Sequence, residues 1–260
     1  MNRSGSLKAF ERLLEVMDDL REKCPWDRKQ TFESLRNLTI EETYELADAI
    51  LAQDMRGIRE ELGDLILHIV FYAKMADEKK TFNIEDVLTS IIEKLIHRHP
   101  HIYGDTIVEN EEEVKQNWEK LKLQEGKKSL LEGVPSSLPA LIKAVRLQEK
   151  TAQVGFEWEG VDDVVAKVEE EFAEFKSTLL QENGSNKARE EEFGDLLFSL
   201  VNLSRYLHID PEIALERTNR KFKSRFEYIE QHARQPLDDM TLDQMDALWS
   251  EAKKKEKEST

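Results

Sequence analysis

The chain has 260 residues, 39% hydrophobic and 35% charged, which allows one or two domains with a substantial core. Its 54 Asp and Glu outnumber 38 Lys and Arg, and the formal net charge of −16 disfavours nucleic acid as a partner, because no basic cluster appears before the mixed "KKKEK" near the C-terminus. The single cysteine, Cys24, excludes an intramolecular disulfide and fits a reducing compartment; the N-terminal segment lacks a signal-peptide apolar core and no apolar run approaches the roughly 20 residues of a membrane span, so a cytoplasmic protein with no membrane partner is expected.

Taken in order, residues 7–23, 39–53, 60–80, 83–98 and 111–125 repeat apolar side chains at three- and four-residue spacing, and later segments do the same. Period-two runs of β-branched residues are missing, and 10 glycines and 6 prolines serve the whole chain. The expectation is an all-α protein. Gly126, Gly133, Pro135, Ser136, Ser137 and Pro139 gather between two similar halves, which sets a helical domain over residues 1–125, a linker over 126–144 and a second helical domain over 145–260.

The halves repeat one pattern. The first has Trp26, then Glu41, Glu42 and Glu45, then Glu61 and Asp64, then Lys94 and Arg98, then Trp118 and Lys122. The second has Trp158, then Glu170, Glu171 and Glu174, then Glu192 and Asp195, then Lys221 and Arg225, then Trp249 and Lys253. This is an internal duplication of a bundle of four or five helices.

Residues three or four apart share a helix face, so Glu171 points with Glu174, Glu170 lies on the same turn, and Glu192 points with Asp195. Antiparallel packing of the two helices would bring four or five carboxylates together. Such a group repels itself unless a divalent cation sits among its members, and an all-oxygen donor set suits Mg²⁺, with Mn²⁺ as a substitute. Glu41, Glu42, Glu45, Glu61 and Asp64 form a possible second site. Lys221 and Arg225 on one face, with Lys253 after Trp249, suit a polyphosphate. Trp249 stacks on a base or fills the core; Asn202, seven residues after Asp195, reads a base edge or caps a polar spot.

Other chemistries find little support. Neither G-x-x-x-x-G-K-[ST] nor G-x-G-x-x-G occurs. Cys24 has no repeated counterpart, and His97, His99 and His101 sit where Pro100 breaks a helix. His68 follows Asp64 by four, but Ser199 takes its place in the second half, which counts against a di-iron bundle.

With these residues in place, the chain resembles the MazG family of nucleoside triphosphate pyrophosphohydrolases over nearly its full length. "CPWD", "EETYELADAI", "EELGDLI", "RHPHIYGD", "LPALIKA", "VGFEW" and "EEFGDLLFSLVNLSR" carry the resemblance. It implies an all-α fold, a Mg²⁺-dependent homodimer, and hydrolysis of NTPs and dNTPs to the monophosphate and pyrophosphate, with activity in the second copy. Carried over by position, the metal ligands are Glu170 or Glu171, Glu174, Glu192 and Asp195. Glu171, Glu191 and Glu192 are the catalytic candidates, Glu191 helping to hold the attacking water. Lys167, Lys221, Arg225, Trp249 and Lys253 contact the nucleotide. Ala188 stands where the pattern favours a lysine, so Lys187 or Arg189 would supply that contact. The alternative is a helical dimer that senses nucleotide through the same acidic and basic site without catalysis.

Overall fold

The computed structural model describes residues 2–110, 113–114, 117–118, 121, 129–180 and 185–258. The protein is all-α, with no strand among these residues. It forms two compact units, Met1–Leu121 and Lys122–Thr260. Much of the expected helix over 111–125, with Lys122, lies outside the described residues, as does the start of the expected linker.

Unit 1 is built from α1 (Arg3–Lys23), α2 (Phe32–Leu51), α3 (Met55–Glu78), α4 (Ile84–Arg98) and the short α5 (Pro100–Tyr103). α2 and α3 start earlier than the apolar periodicity indicates, because their caps are polar. The Thr31 side chain accepts from the Ser34 amide and the Ser34 side chain answers on Thr31, while Asp54 accepts from the Arg56 amide. α4 stops at Arg98, where Pro100 opens the next turn.

α3 packs against α1, α2 and α4. Met17, Leu35, Val70, Phe71 and Met75 are buried together as the core of this unit. An ion pair ties α1 to α3 at its edge: Arg21 donates from Nε to Glu78 Oε1 at 2.8 Å and from Nη2 to Oε2 at 2.5 Å. That contact holds the Glu78 carboxyl below its usual range.

Unit 2 contains α6 (Ala140–Ala152), α7 (Val161–Leu180), α8 (Asn186–Tyr206), α9 (Pro211–His232) and α10 (Leu242–Glu258). α6 begins inside the segment that composition marks as linker. Its C-terminus turns through Gly155, whose φ of +79° is open to glycine at little cost, and the Gly155 amide donates to Ala152 O at 2.9 Å. This turn launches the loop that carries Phe156 and Trp158. α7 and α8 form the main antiparallel pair, α6 lies against α8, and α9 packs on α10.

The duplication extends to side-chain contacts within each unit. Arg98 lies 5.6 Å from the ring centre of Trp118, and Arg225 lies 5.3 Å from that of Trp249. Both units also expose the same apolar stripe on the helix that bears the Glu-x-x-Asp pair: Leu62, Ile66 and Ile69 on α3, and Phe193, Leu197 and Leu200 on α8.

Candidate active site

The carboxylates of unit 2 meet at the α7–α8 pair. Oxygens of Glu171, Glu192 and Asp195 can all lie within 4.8 Å of one another. Glu171 is buried, 7% exposed, while Glu192 is half-buried and Asp195 exposed. Desolvation, then the charges of Glu174, Asp195, Glu171 and Glu191, hold the Glu192 carboxyl above its usual range. Mutual repulsion of this kind marks a group that a hard cation would relieve, and every donor is oxygen.

The other acidic candidates, Glu170, Glu174 and Glu191, are exposed, and the charges of Glu174 and Glu191 act on Glu192. Glu170 is paired with Lys167 at 2.9 Å, and Glu191 lies 3.6 Å from Lys187. Lys167 also reaches Glu171 at 2.7 Å, so its ammonium bridges two carboxylates and its pKa is raised by both contacts. Lys187 is exposed, and Arg189 donates to the Thr178 carbonyl at 3.4 Å.

A cavity of about 580 Å³ opens beside the carboxylates, and Glu171, Asp195 and Lys167 are in its wall. That volume lies within the range of small-molecule sites. Asp195, Ser199 and Asn202 line it along α8, with Gln148 from α6 and Phe156 and Trp158 from the loop. The loop is held down at two points: Arg205 Nη1 pairs with Glu157 Oε2 at 2.9 Å, and Tyr206 donates to the Trp158 carbonyl at 2.5 Å.

Lys221, Arg225, Trp249 and Lys253 do not line this cavity. They belong to the α9–α10 pair. Arg225 donates to Glu256 Oε2 at 2.7 Å from Nη2 and at 3.0 Å from Nε, and Trp249 is packed 5.2 Å from Phe222. The Glu256 carboxyl is held low, first by Arg225 and then by the charge of Lys221. Sequence spacing could not anticipate this ion pair, because its partners sit on different helices.

Unit 1 has a matching acidic group of Glu42, Glu45 and Glu61, with Glu41 exposed. Desolvation, followed by Asp64, Glu45 and Glu61, raises the Glu42 pKa. Its surroundings differ from those in unit 2. Phe71, at the place of Asn202, is 2% exposed in the apolar core. A cavity of about 200 Å³ in this unit is lined by Met17, Asp18, Lys74 and their neighbours and includes none of the carboxylates of the acidic group.

Of the residues that line or brace this cavity, Phe156, Glu157 and Arg205 fall within the "VGFEW" and "EEFGDLLFSLVNLSR" segments that carry the resemblance, whereas Gln148 lies outside every motif. The signal for Gln148 was a polar residue within the apolar face of α6, where a buried side chain is normally aliphatic.

Comparison with known proteins supplies the family. The MazG nucleotide pyrophosphohydrolase domain matches residues 30–103. The nucleoside triphosphate pyrophosphohydrolase of Escherichia coli (strain K12) is 41% identical over 260 residues, covering 96% of this chain and 99% of its own. The Thermotoga maritima protein named nucleoside triphosphate pyrophosphohydrolase/pyrophosphatase MazG is 44% identical, covering 97% of this chain and 98% of its own. An uncharacterized Bacillus subtilis protein, YabN, is 45% identical over 91% of this chain but only 49% of its own length. The chain belongs to the MazG family of nucleoside triphosphate pyrophosphohydrolases.

Proposed function

We propose that this chain, a nucleoside triphosphate pyrophosphohydrolase by family, hydrolyses NTPs and dNTPs between the α- and β-phosphates at the carboxylate group of unit 2. The observation that carries this reading is the convergence of Glu171, Glu192 and Asp195 at a ligand-sized cavity whose wall includes Glu171 and Asp195. Glu171, Glu174, Glu192 and Asp195 would hold Mg²⁺, or Mn²⁺ in its place, with Glu170 on the same turn as Glu171. When bound, the ion screens the triphosphate and polarises the phosphoryl group under attack.

The residues of the chain do the rest. Lys167 exchanges its carboxylate contacts for phosphate oxygens. Glu191, exposed and only 3.6 Å from Lys187, positions water and accepts its proton. The water oxygen bonds to the α-phosphorus as the bond to the bridging oxygen breaks, and pyrophosphate leaves with that oxygen. Equal amounts of monophosphate and pyrophosphate from an NTP incubated with Mg²⁺ support this reading, and no pyrophosphate overturns it.

Lys221, Arg225, Lys253 and Trp249 are proposed as contacts for the outer phosphates, with Lys187 or Arg189 at the near side. Arg225 must then exchange Glu256 for phosphate. Arg225→Ala is expected to raise the Kd for an NTP about tenfold, the equivalent of about 1.4 kcal/mol, while changing that for an NMP little. Isothermal titration distinguishes this from a structural role, in which both ligands keep their affinity and only the Tm falls.

We also propose a homodimer. The apolar stripes on α3 and α8 are 43–50% exposed within a single chain. Gly63 and Gly194 lie beside them in mid-helix, where an added Cβ would meet nothing within 4 Å. A helix-interior glycine costs about 0.5–1 kcal/mol relative to alanine, a cost that close approach of a second copy explains. Light scattering is expected to give twice the chain mass at micromolar concentration, and Leu197→Glu to shift it toward the monomer; a monomeric wild type contradicts the proposal. With a net charge of −16 and no described helix long and apolar enough to cross a membrane, we place the enzyme in the cytoplasm, without nucleic acid or membrane partners.

A further inference from the structure

The cavity beside the carboxylates carries two neutral amides whose orientations are fixed by their neighbours. Gln148 is 6% exposed and donates from Nε2 to the Phe198 carbonyl at 2.8 Å. That bond commits the nitrogen and leaves Oε1, an atom itself closed off from solvent, without a hydrogen-bond partner among the described residues. A buried carbonyl left without a donor costs about 1–3 kcal/mol. Asn202 accepts from Arg205 Nε through Oδ1 at 3.3 Å, which leaves its Nδ2 as the donating end. Arg205 is itself held by Glu157.

Both amides belong to the same cavity wall as Asp195 and Glu171. Asn202 lies seven residues beyond Asp195 on α8, about 10 Å along the helix axis. That span is comparable to the reach of a nucleoside beyond its 5′-phosphate. Phe156 and Trp158 line the same cavity and are 79% and 48% exposed, apolar faces that a planar ring would cover.

We propose that Gln148 and Asn202 read the nucleobase of the substrate, Gln148 Oε1 accepting a base N–H as the entering base opens the wall that covers this oxygen, and Asn202 Nδ2 donating to an adjacent ring nitrogen or carbonyl oxygen. Neutral amides suit a neutral heterocycle, and the order along α8, carboxylates first and amides last, follows the order of a nucleotide from phosphate to base. Every standard base presents such a donor–acceptor pair on an edge. The pair therefore recognises a base as such and discriminates against bases whose N–H has been removed. In unit 1 the place of Asn202 is filled by Phe71 in the core, so this reader belongs to unit 2.

This inference rests on the pyrophosphohydrolase reading, and the test separates the two. The full-length protein is titrated with ATP and with N6,N6-dimethyl-ATP, which lacks the exocyclic N–H, in Ca²⁺ to slow turnover; pyrophosphate release is followed separately in Mg²⁺. Wild type is expected to bind ATP at least tenfold more tightly than the dimethyl analogue. Gln148→Met, similar in volume without the acceptor, is expected to bind both alike, near the wild-type affinity for the analogue. If Gln148 only staples α6 to α8, the variant loses Tm but keeps the wild-type preference, and the proposal falls. Equal wild-type affinities overturn it without any variant. Discrimination in binding without pyrophosphate release refutes the reaction instead and leaves the base reader standing.

Discussion

Asp195→Asn is expected to lower pyrophosphate release by a factor of about 10²–10⁴ while leaving helicity intact. The substitution removes a charge with almost no change in shape. Asp195 is exposed at the mouth of the cavity, so the variant creates no buried hole. The loss follows from the cation: a bound Mg²⁺ contributes several kcal/mol of charge stabilisation in the transition state, and each 1.36 kcal/mol is a factor of ten in rate. Removing one carboxylate also relieves repulsion on Glu192, which Asp195 helps to hold above the usual range. The metal-free variant should therefore melt no lower than metal-free wild type, while losing part of the Tm gain that Mg²⁺ gives the wild type. Full turnover at ordinary Mg²⁺ would remove Asp195 from the ligand set.

The second large effect separates the two units. Glu171→Gln with Glu174→Gln is expected to abolish turnover of every NTP, whereas Glu42→Gln with Glu45→Gln leaves at least about half of it. Both units gather carboxylates, so counting ligands does not distinguish them. The difference lies in what adjoins them. In unit 2 a cavity of about 580 Å³ includes Glu171 and Asp195; in unit 1, Phe71 and Met17 pack into the core, and the cavity of about 200 Å³ excludes the acidic group. The basic pair of unit 1 also ends badly for a phosphate clamp, since Arg98 is the last residue of α4, while Arg225 lies well within α9. Steady-state rates on several NTPs, with circular dichroism as the folding control, decide this. Loss in the first-unit variant with retention in the second would reverse the assignment of units.

The convergence of the carboxylates was legible in the sequence because the repeat carried it. Glu-x-x-Glu and Glu-x-x-Asp fix which carboxylates share a helix face, and α7 and α8 bring Glu171, Glu192 and Asp195 together. Arg98 with Trp118 and Arg225 with Trp249 recur in three dimensions as they recur in the chain. Helix starts were less legible: Thr31 with Ser34 and Asp54 begin α2 and α3 before the apolar rhythm does. Partners across helices were not legible at all. Nothing in local spacing ties Arg225 to Glu256, Arg189 to the Thr178 carbonyl, or Gln148 to Phe198, since each contact depends on how two helices cross. The same holds for Trp249, whose packing on Phe222 is a tertiary fact.

The proposed attack on the α-phosphorus at the unit 2 carboxylates is tested most directly by running the reaction on ATP with Mg²⁺ in ¹⁸O-water and analysing the products by mass spectrometry. AMP and pyrophosphate are expected in equal amounts, with one ¹⁸O in the AMP and none in the pyrophosphate. Label in the pyrophosphate, or ADP with inorganic phosphate as the products, would contradict it.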